Sequence, residues 1–340
     1  VHILTQNIPV REEPKQENWL EILANAVSDP TELLKILNLS GQFHERDFAA
    51  RKLFGVRVPM PFIAKMEKGN PRDPLLLQVM ASHQEFLYAE GFSKDPLEEQ
   101  KMAAPNILHK YRNRLLFMVK NSCAVNCRYC FRRHFPYNRS AGNKANWRKA
   151  TEYIAANPQI EEVIFSGGDP LMAKDHELDW LIKQLENIPH LRRLRIHSRL
   201  PVVIPQRVTP ALCEMLKNTR LKTVLVTHIN HPNEIDDALA RAIAKLKQAQ
   251  VVLLNQSVLL KNVNDDAVIL KALSDKLFET GILPYYLHLL DKVEGAAHFY
   301  VSDESAVEIY RDFQALTSGY LVPKLAREIA NEPNKTLYSG

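Results

Sequence analysis

No apolar run in this sequence approaches the roughly 18 residues that a membrane-spanning helix needs, so the chain is expected to work in water. Its start, Val1-His-Ile-Leu-Thr-Gln, has no charged head followed by an apolar core and does not read as a secretory leader. Cysteine is scarce, with four in 340 residues. Without a leader, that scarcity argues against a secreted disulfide framework, and the expectation is reduced thiols in the cytoplasm. An excess of one charge sign is also missing. The 44 basic and 39 acidic residues leave a formal net charge of +5, too balanced to argue for nucleic acid by itself. Aromatics interleaved with the basic residues, which a nucleic-acid surface would use, are few. What is plentiful is material for a core: a chain this long that is 46% hydrophobic makes one large domain or two ordinary ones.

Three of the four cysteines fall in one short stretch, Cys123-Ala-Val-Asn-Cys127-Arg-Tyr-Cys130, directly after the apolar run Leu115 to Val119. Three thiolates on a four-iron cluster leave one iron open to a small molecule, and an open iron is a place for chemistry. The spacing admits a second reading. Cys123, Cys127, Cys130 and His134 form an acceptable Cys3His set for tetrahedral zinc, which with Arg128, Arg132, Arg133 and Arg139 would make a zinc-stabilised nucleic-acid-binding module. The fourth thiol, Cys213, sits on the helical pattern Ala211-Leu-Cys-Glu-Met-Leu, far from the others, and reads as core.

The C-x3-C-x2-C spacing, with aromatic Tyr129 before the last cysteine, resembles the signature of the radical S-adenosylmethionine (SAM) enzymes. The resemblance implies that Cys123, Cys127 and Cys130 hold a [4Fe-4S] cluster whose open iron SAM chelates. An electron from that cluster splits SAM to give a 5'-deoxyadenosyl radical.

Residues 1–105 read as a mostly helical region without a catalytic motif. In it Asp29-Pro-Thr-Glu-Leu-Leu looks like a helix start with Thr31 as cap, and clustered prolines break the remainder into short pieces. Residues 106–300 are expected to form an α/β partial barrel of six strand-helix units, and 301–340 a C-terminal helix followed by a short segment. The strand-like runs are Leu115 to Val119, Val163 to Ser166, Leu194 to His197, Val224 to His228, Leu253 to Val258 and Tyr285 to His288. Helical periodicity lies between them, as in Leu178, Leu181, Ile182 and Leu185, and in Ile235, Leu239, Ile243 and Leu246. In such barrels the chemistry sits at the carboxyl ends of the strands. After the six runs come the cysteine loop, Ser166-Gly-Gly-Asp169, His197-Ser-Arg199, Thr227-His-Ile-Asn-His231, Asn255-Gln256-Ser257 and His288-Leu-Leu-Asp291. Gly167 and Gly168 allow a close backbone approach, and following a cysteine triad the pair resembles the glycine-rich SAM motif. Ser166, Gly167, Gly168 and Asp169 are therefore the SAM candidates, with His197 and Gln256 as further cofactor-binding candidates.

Longer strings narrow the resemblance. Lys110-Tyr111-Arg-Asn-Arg114, Cys130-Phe-Arg132-Arg133, Ser166-Gly-Gly-Asp-Pro-Leu, Ser198-Arg-Leu-Pro-Val-Val-Ile-Pro-Gln-Arg207, Asn255-Gln-Ser-Val-Leu-Leu and Ser318-Gly-Tyr-Leu-Val-Pro323 resemble the lysine 2,3-aminomutases, in the same order. The likeness covers about residues 60–337 and is greatest to the short bacterial branch that makes β-lysine for modifying elongation factor P. It implies an isomerase that moves the α-amino group of L-lysine to C3. It also implies pyridoxal phosphate (PLP) carried as a Schiff base on Lys335, its phosphate held by Tyr111 and Arg114, with Lys110 as a weaker candidate. Arg132 would clamp the substrate carboxylate, where a planar fork suits two oxygens, and Asp291 would take the distal ammonium. An aminomutase for glutamate or arginine would lack such a carboxylate.

The partners implied are a reductant protein such as flavodoxin or ferredoxin, a downstream ligase of the elongation factor P pathway, and further copies of the chain in a homo-oligomer. Membrane and nucleic acid are not expected. The sequence departs from the longer enzymes in two ways. Glu328-Ile-Ala-Asn-Glu-Pro replaces the glycine-rich run before the cofactor lysine, and no aspartate lies between Lys324 and Lys335, which leaves Glu328 or Glu332 as substitutes.

Overall fold

The computed structural model describes residues 18–136 and 142–338. Arg139 of the arginine cluster lies outside the described residues. Nine strands form one sheet in chain order: β1 (Ile107–Tyr111), β2 (Arg114–Lys120), β3 (Glu162–Gly167), β4 (Arg193–Ser198), β5 (Lys222–His228), β6 (Val252–Val258), β7 (Leu283–His288), β8 (Lys324–Arg327) and β9 (Thr336–Leu337). Strands β2 to β8 run parallel, with β1 and β9 antiparallel at the two edges. The six apolar runs are strands β2 to β7. One parallel strand more is present: β8 spells Lys-Leu-Ala-Arg, four residues with charged ends that carry no β-branched signal.

The helices between strands start where side chains satisfy their first backbone N–H groups. Asn143 caps α6 (Lys144–Ala155), Thr209 caps α9 (Pro210–Asn218), Asp236 caps α10 (Asp237–Gln248), Asp266 caps α11 (Ala267–Thr280) and Ser302 caps α12 (Asp303–Leu316). On α7 (Asp175–Glu186) the residues at i, i+3, i+4 and i+7 are buried as expected. Ile235 is buried too, but ahead of α10 rather than on it. A short α8 (Leu200–Val203) follows β4.

The amino-terminal helices are brief: α1 (Trp19–Ala24), α2 (Pro30–Ile36), α3 (Glu45–Ala49), α4 (Met60–Ile63) and α5 (Pro74–Leu77). Asp29, not Thr31, caps α2, because Pro30 has no N–H and suits the first helical position. One apolar core runs from Trp19 and Leu33 through the strands to Leu253 and Leu277, while Phe313 of α12 joins Leu287 of β7 and Leu325 of β8 in a second.

The two edges of the sheet meet through side chains. Lys110 Nζ on β1 lies 2.9 Å from Glu328 Oε1, just past β8. A site beside the start of β2 thus touches one above the end of β8, the stagger that strand tilt imposes on a rolled sheet. Among the described residues no helix is long and apolar enough to cross a membrane.

Candidate active site

The cysteine loop leaves the top of β2 and is held from behind by the amino-terminal region. The Arg128 N–H donates to Gln78 O at 2.8 Å, and the Asn126 N–H to Arg57 O at 3.1 Å. Arg128 itself is fully buried. It donates to both oxygens of Glu85, Nε to Oε1 at 2.8 Å and Nη2 to Oε2 at 2.5 Å. Arg133 Nη2 reaches the same Oε2 at 2.5 Å. All three thiols of the loop are free, and Cys130 and Cys127 both act electrostatically on Cys123. Burial pushes the Cys130 thiol up to about 11, with the Cys127 charge second. That penalty on thiolates lifts when iron takes the charge. His134 is turned elsewhere, its Nε2 3.2 Å from Glu294 O.

The glycine pair is explained by the cysteine loop itself. A Cβ on Gly167 would stand 2.3 Å from Lys120 O, and one on Gly168 2.5 Å from Ser122 O. Gly167 also has φ +124°, a conformation that favours glycine. The Gly168 N–H donates to Lys120 O at 2.7 Å and the Asp169 N–H to Ser122 O at 2.9 Å. The pair thus presses β3 against the start of the cluster loop. Asp169 is buried and its carboxylate is filled: Oδ1 accepts from Ser198 Oγ at 2.7 Å and Leu171 N at 3.0 Å, and Oδ2 from Arg199 N at 2.8 Å and Leu200 N at 2.9 Å. Through these four contacts it shapes the turn after β3.

A line of alternating charges connects this loop to the C-terminal lysine. Arg132 Nη1 donates to Ser166 Oγ at 2.9 Å and to Gly167 O at 3.3 Å. Its Nε and Nη2 grip Glu99 at 2.6 and 3.1 Å. Glu99 also pairs with Lys110 at 2.7 Å, Lys110 pairs with Glu328, and Glu328 pairs with Lys335. Burial alone would raise the Glu328 carboxyl, but the Lys335 and Lys110 ammoniums outweigh it and hold the group far below the carboxylate range. Glu99 is depressed in the same way, with Arg132 the larger opposing charge. Arg132 already holds a carboxylate, so clamping a substrate would require exchange with Glu99.

Around Lys335 the remaining candidates converge. Its Nζ lies 5.8 Å from the Tyr286 ring centre. Tyr111, pushed up to about 12 by burial and by Glu328, carries the Arg114 guanidinium 3.9 Å from its ring centre. Arg114 and Arg195 both act on Tyr286, giving cationic ground beside the lysine. His288 is pushed down to about 3 by burial, with Lys335 second. His197 is held well below its ordinary value by burial and then by Arg195, and its Nε2 has no partner among the described residues. Burial, then Glu328, pushes Asp291 up to about 7. For Gln256, register places it between His228 and Tyr286 on the neighbouring strands. An amine beside a carboxylate, two guanidiniums suited to a phosphate and an orphaned imidazole nitrogen fit PLP. The three thiols on one loop fit a cluster.

Residues 118–270 match the model of the radical SAM superfamily. Over all 340 residues, covering 100% of both proteins, the chain is 70% identical to the L-lysine 2,3-aminomutase of Haemophilus influenzae. It is 60% identical to that of Escherichia coli over 98% of this chain and 97% of the relative. To the L-lysine 2,3-aminomutase of Clostridium subterminale it is 35% identical, over 94% of this chain and 77% of the relative. The chain belongs to the lysine 2,3-aminomutase family.

Membership in the aminomutase family overturns the zinc-module alternative and brings three cofactors: a [4Fe-4S] cluster, SAM and PLP. Several residues that build this candidate site were not found from sequence. Glu85 and Glu99 stand singly in the amino-terminal region, with no periodicity or motif to mark them. Arg195 alternates along β4 with buried Leu194 and Ile196, a pattern that usually leaves the polar residue solvated, yet its side chain is only 11% exposed.

Proposed function

We propose that this chain isomerises L-lysine to β-lysine by moving the α-amino group to C3, within a bacterial pathway that places β-lysine on elongation factor P. The observation that carries the reading is the unbroken ion chain from Arg132 beside Ser166 and Gly167 to Lys335, which links the cluster loop and the cofactor lysine around one interior. When bound, the cluster and SAM supply a carbon radical and PLP carries the migrating nitrogen.

The chain's own residues do the remainder. Cys123, Cys127 and Cys130 hold the cluster. Ser166, Gly167 and Gly168 frame SAM, with Asp169 bracing their turn, and His197 and Gln256 complete the cofactor surroundings. Tyr111 and Arg114 take the PLP phosphate by hydrogen bonds, the guanidinium's being charge-assisted. Lys335 anchors PLP, and Glu328 receives its ammonium whenever it is free. Arg132 orients the substrate carboxylate and Asp291 its distal ammonium, which fixes the C3 hydrogen in one place. The neutral, buried imidazoles of His197 and His288 add no charge to compete with these contacts. A flavodoxin or ferredoxin reductant, a homo-oligomeric assembly and a cytoplasmic location complete the reading, and the likeness to the short bacterial branch supports them.

One anaerobic reaction tests it. Reconstituted protein, SAM, PLP, a strong reductant and L-lysine deuterated at C3 are analysed by mass spectrometry. β-Lysine with deuterium moved to C2 is the expected product. Deoxyadenosine without β-lysine would reject lysine as substrate, and neither product from protein that binds iron and sulfide would reject the SAM site at Ser166, Gly167 and Gly168.

A further inference from the structure

Behind Cys127 lies a buried polar cluster that no step of the proposed reaction uses. Arg199, the residue after β4, is 7% exposed. Its Nη1 donates to Cys127 Sγ at 2.7 Å and to the Tyr129 hydroxyl. Its Nη2 donates to Gln78 Oε1 at 2.8 Å and to Glu234 Oε2 at 3.0 Å. Glu234 is fully buried, and its other oxygen accepts from Gln78 Nε2 at 3.2 Å, Asn230 N at 2.9 Å and His231 N at 3.2 Å. Asn230 Nδ2 closes the ring of contacts onto the Tyr129 hydroxyl at 2.7 Å. Arg199 Nε has no partner among the described residues.

Burying a guanidinium is costly unless it is paired and hydrogen-bonded. Here Glu234, Gln78 and Asn230, drawn from two distant parts of the chain, hold one in place with an arm on a sulfur. We propose that Arg199 sets the reduction potential of the [4Fe-4S] cluster through a charge-assisted hydrogen bond to the Cys127 thiolate. The inference rests on Cys123, Cys127 and Cys130 being the cluster ligands. A donor to a ligating sulfur draws electron density from it, and a fixed positive charge favours the reduced cluster, which carries one more negative charge. Both effects raise the potential. Arg199 is thus a positioning and tuning residue: it meets the cluster through Cys127, while Glu234 and Gln78 fix its angle.

The test compares wild type, Arg199→Lys, Arg199→Met and Arg207→Lys, each reconstituted anaerobically with iron and sulfide. The cluster potential is read by an EPR-monitored redox titration without substrate. The expected order is wild type highest, Arg199→Lys lower because the charge stays but the two-armed fork is lost, and Arg199→Met lowest, all at equal iron content. Arg207→Lys is expected near wild type, since Arg207 is a buried guanidinium whose donors go to Leu171 O, Ala173 O and Asp175, away from the cysteine loop. Equal potentials in wild type and Arg199→Met would overturn the proposal, as would a drop in Arg207→Lys matching that of Arg199→Lys. If Arg199→Met fails to hold four irons, Arg199→Lys decides, and a wild-type potential there refutes the role. Wild type that binds no iron and sulfide would overturn the ligand assignment itself, a failure read separately from the potential.

Discussion

Glu85→Gln tests whether the amino-terminal region clamps the cysteine loop or merely covers it. The Glu85 side chain is 0% exposed and lies against Arg128 and Arg133, whose side chains are 0% and 1% exposed. Its oxygens accept three guanidinium N–H groups at 2.5 to 2.8 Å and the Ser82 N–H at 3.1 Å. Neutralising it leaves two buried cations without their anion. Breaking a buried pair by removing one partner costs about 3–5 kcal/mol, against ~0–1 kcal/mol for a surface pair. Glutamine keeps the volume and one acceptor, so the loss belongs at the lower end, about 3 kcal/mol, while Glu85→Ala adds a void and belongs at the upper end. With a urea dependence of about 3 kcal/mol per molar, the unfolding midpoint of the metal-free protein should fall by roughly 1 M. Because Arg128 sits between Cys127 and Cys130, iron bound after reconstitution should fall as well. The assay is urea unfolding followed by far-UV circular dichroism, paired with iron analysis. A stability loss below about 1 kcal/mol together with full iron content would refute the clamp.

Three further outcomes are expected. Lys335→Ala should abolish β-lysine formation while leaving iron and sulfide content intact; loss of the cluster with amino migration preserved would reverse the assigned roles. Gly168→Ala should lose most of its iron, because the new Cβ would meet Ser122 backbone at 2.5 to 2.7 Å, where no side-chain rotation relieves the overlap; wild-type iron content would show that the contact gives way. Asp291, raised to about 7 by burial first and Glu328 second, should bind the lysine ammonium better as pH rises through about 7, with KM falling between about pH 6 and pH 8. The sign for stability is opposite. The native carboxyl holds its proton more tightly than the unfolded one, so its contribution is full below the unfolded value near 3.9 and is lost as pH rises through about 7. Metal-free Asp291→Asn should therefore be more stable than wild type at pH 8, and equal stabilities there, or a flat KM in wild type, would remove Asp291 from the site.

The strands were legible because each is an apolar, β-rich run followed by polar residues, so the sheet and its functional end could be read together. β8 was not, because four residues with charged ends take their strand identity from the β7 edge they pair with. Thr31 was misread as a cap because proline at the first helical position makes the preceding Asp29 the capping residue. The glycines were legible as a place of close approach, and the structure adds an approach that the sequence did not show, to the backbone of Lys120 and Ser122. Glu85, Glu99, Gln78 and Glu234 were illegible for a common reason. Each acts on a group distant in sequence, from a turn or a single helical turn, and neither periodicity nor spacing records such pairings.

The same physics accounts for how the candidate PLP lysine is held. Strand β9 pairs with β8 through only two residue pairs, too little backbone to fix an ammonium by itself. Glu328 supplies the missing constraint, since it binds Lys335 on one side and Lys110 of the opposite edge on the other. Lys110 is in turn fixed by Glu99, and Glu99 by Arg132. Every interior charge in the series has a neighbour of opposite sign on each side, so none is left alone in a poorly solvated interior, where a lone ion would be costly. A glycine-rich run before the lysine would hold it by backbone shape. Here the two edges of the sheet meet through side-chain ions, and the same Glu328 carboxylate holds the lysine.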